Sequence, residues 1–326
     1  MKTYVLPDTS WNISRLAYGC GAIGGTWDNA PLDADWRATA CNILDTAVEV
    51  GINFFDHADV YTFGKSEEVF GEFLAKRPGL REQIYLQSKC GLRFQNTPQA
   101  GNPYRYDFSS DHIVSSVEGS LRRLGTEYLD VLLLHRPDVL MEPEEVAHAF
   151  DVLAAAGKVR RFGLSNHNTS QVELLRKHVS QPLIINQLEL SLPQPGLIAE
   201  GAFTNMQQLA STPLATGLLD YCRQHKMLVQ AWSPLGGGTF YKGNCDGSAH
   251  PQQPLLDAIG EIANERGCSS EAIMLAWLLR HPARIQPILG TLNPDRLRNA
   301  ARADELELSR IEWYALFTAA LGRNLP

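Results

Sequence analysis

Nothing in the 326-residue chain approaches the unbroken run of roughly 20 apolar residues that a membrane-spanning helix needs, so no membrane role is expected. The opening stretch MKTYVLPDTSW lacks the charged-then-apolar layout of a secretion signal, and the expected location is the cytoplasm. Cysteine is scarce and scattered. The six residues, at 20, 41, 90, 222, 245 and 268, form no C-x-x-C pair and no Cys/His metal spacing, a pattern that fits reduced core thiols and predicts no metal site. A basic excess is missing as well. Lys and Arg total 29 against 36 Asp and Glu, a formal net charge of −7, which argues against an extended nucleic-acid footprint but leaves room for a local basic pocket around one phosphate. No fixed-period repeat, low-complexity tract or linker divides the chain. Its length, with 44% hydrophobic residues, suffices for one large core, and a single domain over residues 1–326 is expected.

What is present is an alternation of strand-like and helix-like stretches. Strands are predicted near residues 16–20, 53–57, 85–90, 128–136, 161–166, 183–190, 228–233 and 286–290. Several are almost continuously apolar, as in Val131-Leu-Leu-Leu134, which fits parallel strands covered on both faces. Eight strands with eight helical connections predict an α/β fold of the (β/α)8 TIM-barrel type, with an extra amphipathic helix from Ser309 to Ala320. Ser109 or Ser110 is placed to cap a helix that Gly125 closes, and Gly157 ends the helix that Glu142-Pro143-Glu144 begins. Two long stretches, 91–108 and 236–254, follow strands and are expected to be irregular and functional. The first carries Phe94, Tyr104, Tyr106 and Phe108, which suit the wall of a substrate pocket or packing of the loop on itself.

The chemistry-bearing residues sit where those strands end. GINFFDHADVYTFGKSE, residues 51–67, puts Asp56 at a strand end and Tyr61 five residues later; Lys89 ends the third-strand candidate and His135 the fourth-strand run. A polar residue at one strand end is commonplace in any α/β chain. Four of them on successive strands of a barrel converge on one face and predict one active site. Strand alternation places Phe54 on the face of Asp56 and turns His57 to the opposite face as a packed structural histidine.

These blocks resemble the aldo-keto reductase family over nearly the whole chain: GINFFDHADVY at 51–61, SKCG at 88–91, LGTEYLDVLLLHRPD at 124–138, GKVRRFGLSN at 157–166, QLELS at 187–191 and AWSPLGGG at 231–238. The likeness is to a bacterial subgroup with D-H-A-D where D-T-A is commoner. It implies a (β/α)8 barrel that reduces aldehydes or ketones, its small-molecule carbonyl substrates, with NADPH, and a catalytic tetrad of Asp56, Tyr61, Lys89 and His135. Hydride delivery builds charge on the carbonyl oxygen, so a proton donor must be poised there. Tyr61 is that donor in this reading, with Lys89 expected to lower its pKa from about 10, Asp56 to hold Lys89 charged, and His135 to orient the substrate oxygen.

For the cofactor, Asn166 and Gln187 end the fifth and sixth strands, with side-chain amides that match a nicotinamide carboxamide, and Ser165 adjoins Asn166. Asp56 borders the same ring. Trp232 offers a stacking face, and the turn of Ser233, Pro234, Leu235, Gly236, Gly237 and Gly238 offers backbone N–H donors, Pro234 excepted, to a diphosphate. Gly21 and Ala22, after the first strand, are placed to approach the cofactor. Gly290 and Thr291 lead into a helix whose Arg296 and Asn299 share one face and suit an adenosine phosphate. Gly290 stands where many NADPH-using members carry lysine, and Ala300 where they carry asparagine. Two rival readings keep the barrel: a cofactor-binding regulatory subunit of potassium channels, which commonly carries an N-terminal segment not seen before this barrel, and a lyase using Lys89 as a Schiff-base amine. Too few histidines follow strand ends for a metal hydrolase.

Overall fold

Mostly apolar segments of three to seven residues become the strands of a barrel. A computed structural model describes residues 1–203, 217–238, 250 and 252–326. Its barrel strands are β1 (Ala17–Gly19), β2 (Phe54–Asp56), β3 (Tyr85–Cys90), β4 (Leu129–Leu134), β5 (Val159–Ser165), β6 (Leu183–Glu189), β7 (Leu228–Trp232) and β8 (Gln286–Leu289). They close in sequential order, β1 to β8 and back. This is the expected (β/α)8 arrangement, and every strand falls within about two residues of its expected span, the usual scatter at element ends.

By its internal contacts the chain divides into two units. One comprises Ala17–Gln187 with Gly290–Leu292, the other Met1–Leu16, Leu188–Leu289 and Asn293–Pro326.

In the first unit, β1 to β6 pair in parallel, with Gly19 opposite Asp56, Asp56 opposite Gln87, and Lys89 opposite Leu133. Period-2 alternation sorts the β2 side chains as expected. Phe55 lies 5.1 Å, centroid to centroid, from Phe70 of helix α2 (Lys65–Ala75), the helix after α1 (Ala34–Glu49), and His57 lies 4.6 Å from the same ring. Both therefore face the helix layer, which leaves Phe54 and Asp56 for the other face. A Cβ at Gly163 of β5 would come within 2.7 Å of both the Ile185 carbonyl oxygen and Leu133, so only glycine lets these strands approach. Burial of a large apolar side chain such as Phe70 contributes about 1.5–3 kcal/mol, and the 0% exposure of Phe54, Phe55 and Phe70 makes this wall of the barrel stiff.

The helices start and stop where their termini find partners. Helix α3 (Ser110–Leu124) ends on Gly125 at φ 61 as expected, but Ser109 at its N-cap donates its hydroxyl to Asp107 instead of capping the helix. Pro143 opens α4 (Pro143–Ala155), and Asn168 with Gln171 forms a reciprocal capping box for α5 (Thr169–Arg176). The stretch 91–108 is not wholly irregular: Leu92–Arg93 pairs antiparallel with Arg105–Tyr106. Alternation over two residues is too short to be read from sequence.

The second unit holds β7 and β8, paired with Gln230 opposite Gln286, the two side chains joined at 2.9 Å. Gln286 donates onward to the Ser14 carbonyl at 2.7 Å. A hairpin of Thr3–Val5 with Asn12–Ser14 precedes Leu16, and the sequence reading gave it no strands. The expected C-terminal helix runs Arg310–Leu321, behind a Ser309–Glu312 capping box. It docks by stacking Trp313 on Trp277 at 5.0 Å and 8°, each indole N–H donating to the other's backbone carbonyl. Among the described residues no helix is long and apolar enough to cross a membrane.

Candidate active site

Four titratable side chains meet where β2, β3 and β4 end. Lys89 lies in β3 with its Nζ 2.8 Å from each carboxylate oxygen of Asp56, 2.8 Å from the His57 carbonyl and 2.8 Å from the Tyr61 hydroxyl. All three N–H donors of the ammonium are thereby used on oxygens, the condition for keeping a buried charge. His135 follows β4, its backbone N–H held by the Cys90 carbonyl at 2.9 Å, and its ring stands edge-on to Tyr61 at 5.9 Å. The 56–61 turn is fixed by two more backbone bonds, Asp59 N–H to the Lys89 carbonyl at 3.0 Å and Tyr61 N–H to the Ala58 carbonyl at 3.1 Å. The sequence reading thus selected four residues that the fold brings together.

Electrostatics departs from expectation at one of them. Burial raises the pKa of Tyr61; Lys89 acts in the other direction but does not overcome it, because Asp56 neutralises much of the ammonium. The expected lowering of the phenol is therefore corrected: Tyr61 is a firmly protonated donor. For Lys89, burial pulls the pKa down, yet Asp56 and Tyr61 outweigh it and leave the value above that of free lysine. A lysine whose charged form is favoured in this way is ill-suited to Schiff-base chemistry, which needs the neutral amine. Burial, with Lys89 and Arg136 nearby, holds His135 well below its ordinary range, so a neutral ring faces Tyr61. Its Nδ1 is buried without a partner.

The sequence profile of the aldo/keto reductase family matches residues 15–317. A 6-dehydroglucose reductase of Agrobacterium fabrum is 37% identical over 96% of both chains, and the oxidoreductase YdhF of Escherichia coli is 36% identical, covering 90% of this chain and 92% of its own. A solved aldo-keto reductase of Klebsiella pneumoniae, in complex with NADPH, superimposes with TM-score 0.73 at 26% identity over 97% of this chain and 93% of that one. The chain belongs to the aldo/keto reductase family. The similarity to YdhF places it with YdhF-like bacterial oxidoreductases among its relatives.

Within this family frame, the remaining predicted residues divide by unit. In the first, Asn166 sits at φ 63 and its Nδ2 reaches Ser165 Oγ at 2.7 Å and the His135 carbonyl at 3.3 Å. Ser165 in turn donates to the Gln187 carbonyl at 3.0 Å. Gln187 directs its Nε2 to Asp56 at 3.1 Å, so its amide N–H already serves the carboxylate. Gly21 passes the Tyr61 ring, where a Cβ would lie 3.7 Å away, with Ala22 one residue on in the same turn. Gly290 is exposed, and the Thr291 carbonyl accepts the Tyr18 hydroxyl at 3.0 Å.

In the second unit, half-buried Trp232 ends β7, and Ser233, Gly236 and Gly237 all have positive φ. Left-handed residues in succession turn backbone N–H groups inward as anion nests do, although the Gly236 N–H already bonds the Ser233 carbonyl at 2.9 Å. Pro234, Leu235 and Gly238 complete that turn, and most of the 236–254 stretch, with Cys245, lies outside the described residues. Arg296 and Asn299 are exposed in Pro294–Ala301, with Arg296 paired to Glu271 at 3.3 Å.

Several site residues escaped the sequence reading. Gln87 donates to Asp56 at 2.5 Å, and its only sequence signal was a polar residue in an apolar strand. Phe94, expected to wall a pocket, packs with Trp27 and with Phe63, which the sequence reading did not single out; the three rings form one cluster with centroids 4.8–6.3 Å apart. Phe63 reaches it through two successive left-handed residues, Thr62 at φ 49 and Phe63 at φ 58, an uncommon conformation for such side chains that clusters at functional sites. Among the described residues no group of three or more His, Cys, Asp or Glu could hold a metal.

Proposed function

We propose that this chain is an NADPH-dependent oxidoreductase that reduces an aldehyde or ketone to an alcohol, with Tyr61 as general acid. The observation that carries the reading is the 2.8 Å contact of Lys89 Nζ with both the Asp56 carboxylate and the Tyr61 hydroxyl. NADPH, when bound, supplies the hydride. The chain's own part is the proton and the electrostatics: Tyr61 donates its hydroxyl proton to the carbonyl oxygen, and Lys89, charge-balanced by Asp56, stabilises the phenolate left behind. Neutral His135 hydrogen-bonds the same oxygen and orients it.

The residues present fit a nicotinamide dinucleotide. Asn166 and Ser165, with the Gln187 carboxamide oxygen, offer donors and an acceptor for the carboxamide beside Asp56, and Gly21 and Ala22 leave room next to the phenol. Gly290 and Thr291 belong to the same unit; in the other unit, taken by itself, the Ser233–Gly238 turn offers backbone N–H groups to phosphate, Trp232 a ring face, and Arg296 and Asn299 polar side chains. A phosphate on Arg296 must replace Glu271, an exchange that favours NADPH only modestly over NADH. We read the family-wide match as one domain spanning residues 1–326, and the free thiols of Cys20, Cys41, Cys90, Cys222 and Cys268 as suited to a reducing cytoplasm.

A related protein is named for 6-dehydroglucose, and a polyhydroxylated aldehyde of that kind heads the substrate panel. The test is NADPH oxidation followed with this aldehyde, aromatic aldehydes and ketones. Turnover that vanishes in Tyr61→Phe supports the assignment; cofactor binding without turnover on any carbonyl favours a regulatory barrel instead.

A further inference from the structure

Next to the tetrad's turn lies a pair of carboxyl groups, Asp59 and Glu67, that the reaction above does not use. Asp59 sits in the turn between Asp56 and Tyr61, and its backbone N–H bonds the Lys89 carbonyl at 3.0 Å. Its side chain points the other way, to Ser116 of α3 and the Val60 N–H, and its Oδ1 is cut off from solvent without a partner. From α2, Glu67 faces the same spot, fully buried, and is fixed by Ser88 at 2.6 Å and by Arg123 at 2.7 and 2.9 Å. From β3 comes the buried Cys90 thiol; from α3 come Ser116, whose hydroxyl also meets His112 at 3.4 Å, and Arg123. One guanidinium therefore serves two carboxyl groups unequally: Arg123 bonds Glu67 through two nitrogens and reaches Ser120 at 3.5 Å, while on Asp59 it acts through charge alone.

We propose that Asp59 positions the Tyr61 phenol for the reduction assigned above, through the turn the two residues share, and that protonation of its carboxyl couples that position to pH. An ionised Asp59 is repelled by Glu67 and keeps a buried oxygen without a hydrogen-bond donor, so the charge pushes the turn away from α2. The neutral acid relaxes it. Because the turn also carries the N–H that grips the Lys89 strand, any displacement reaches both members of the phenol–ammonium pair. Burial, followed by Glu67, lifts the Asp59 pKa from 3.8 to about 7, so both states are populated near neutrality. The sign follows: turnover falls as pH rises through that range. This rests on the reductase reading.

The test compares the unaltered protein with Asp59→Asn, which mimics the neutral acid, in two measurements from about pH 5.5 to about pH 8.5. In the first, kcat with a benzaldehyde probe falls about threefold to tenfold across the range in the unaltered protein, a modest misplacement, and is flat in the variant, while the Kd for NADPH moves in neither. In the second, thermal unfolding, the gap in Tm in favour of Asn widens with pH through neutrality, because the folded state prefers the protonated aspartate. A widening gap with unchanged kcat profiles overturns the positioning role, and a constant gap overturns the titration. Absence of turnover in the unaltered protein removes the reductase reading and the rate coupling with it, while the unfolding gap still decides whether Asp59 titrates.

Discussion

The tetrad at the ends of β2, β3 and β4 and the Arg296 segment after β8 carry comparable charge, yet they differ in who supplies their partners. The Lys89 and Asp56 side chains are 0% and 3% exposed and satisfy each other inside the protein. Arg296 is 56% exposed and holds Glu271 at 3.3 Å in an interaction that solvent largely screens. The difference is one of preorganisation. A buried network pays its desolvation on folding and is ready for chemistry, whereas an exposed one is assembled by the ligand that binds it.

The strongest way to break the comparison is Tyr61→Phe. It removes the proton and leaves Lys89 and Asp56 paired, so kcat falls by about 10²–10⁴ while NADPH still quenches protein fluorescence with an unchanged Kd. Near-native kcat would mean that the buried network is structural. Next in size is Lys89→Met, which strands the Asp56 carboxylate with Gln87 and Gln187 as its donors. Unfolding free energy drops on the order of 3 kcal/mol, measured by urea denaturation at neutral pH, and an undiminished midpoint would show Asp56 to be solvated after all. At the exposed site the effect is smaller. Arg296→Ala raises the Kd for NADPH about tenfold, the worth of one charged hydrogen bond, and leaves NADH binding unchanged; equal effects on both cofactors would place the residue away from a phosphate.

The smallest effect sharpens the comparison from the side of stability. Burial holds the His57 pKa at about 3, far below its ordinary 6.5, and neither ring nitrogen has a partner. The folded value lies below the unfolded one, so the neutral ring favours the fold above about pH 6.5. That contribution is lost as pH falls from there toward 3. His57→Phe, which keeps the packing on Phe70, moves the acid-unfolding midpoint to lower pH, and circular dichroism across an acid titration reads the shift.

Much of this molecule was legible in its chain because the relevant rules are local. Strand spans followed from short apolar runs closed by polar residues, and the face of His57 followed from counting one residue past Asp56. The tetrad could be named because each member ends or follows a strand. What could not be read involves partners far apart in sequence. Gln187 donates to Asp56 across 131 residues, and Glu67 meets Arg123 across 56. The left-handed pair Thr62–Phe63 breaks the usual preference of those residue types, so propensity pointed away from it. The hairpin at Thr3–Ser14 and the short pair at Leu92–Tyr106 were too brief for periodicity to register.

The sequence by itself determined the barrel, the order of its strands and which four residues stand at their mouths, because alternation and punctuation are properties of neighbours along the chain. Tertiary structure decided the protonation of those residues. Tyr61 was expected to be acidified by Lys89, and instead burial prevails; Asp59, which the sequence reading did not single out, is lifted toward neutrality by burial beside Glu67. Desolvation and charge coupling sum over every group packed around a site, and that sum exists only once the chain has folded.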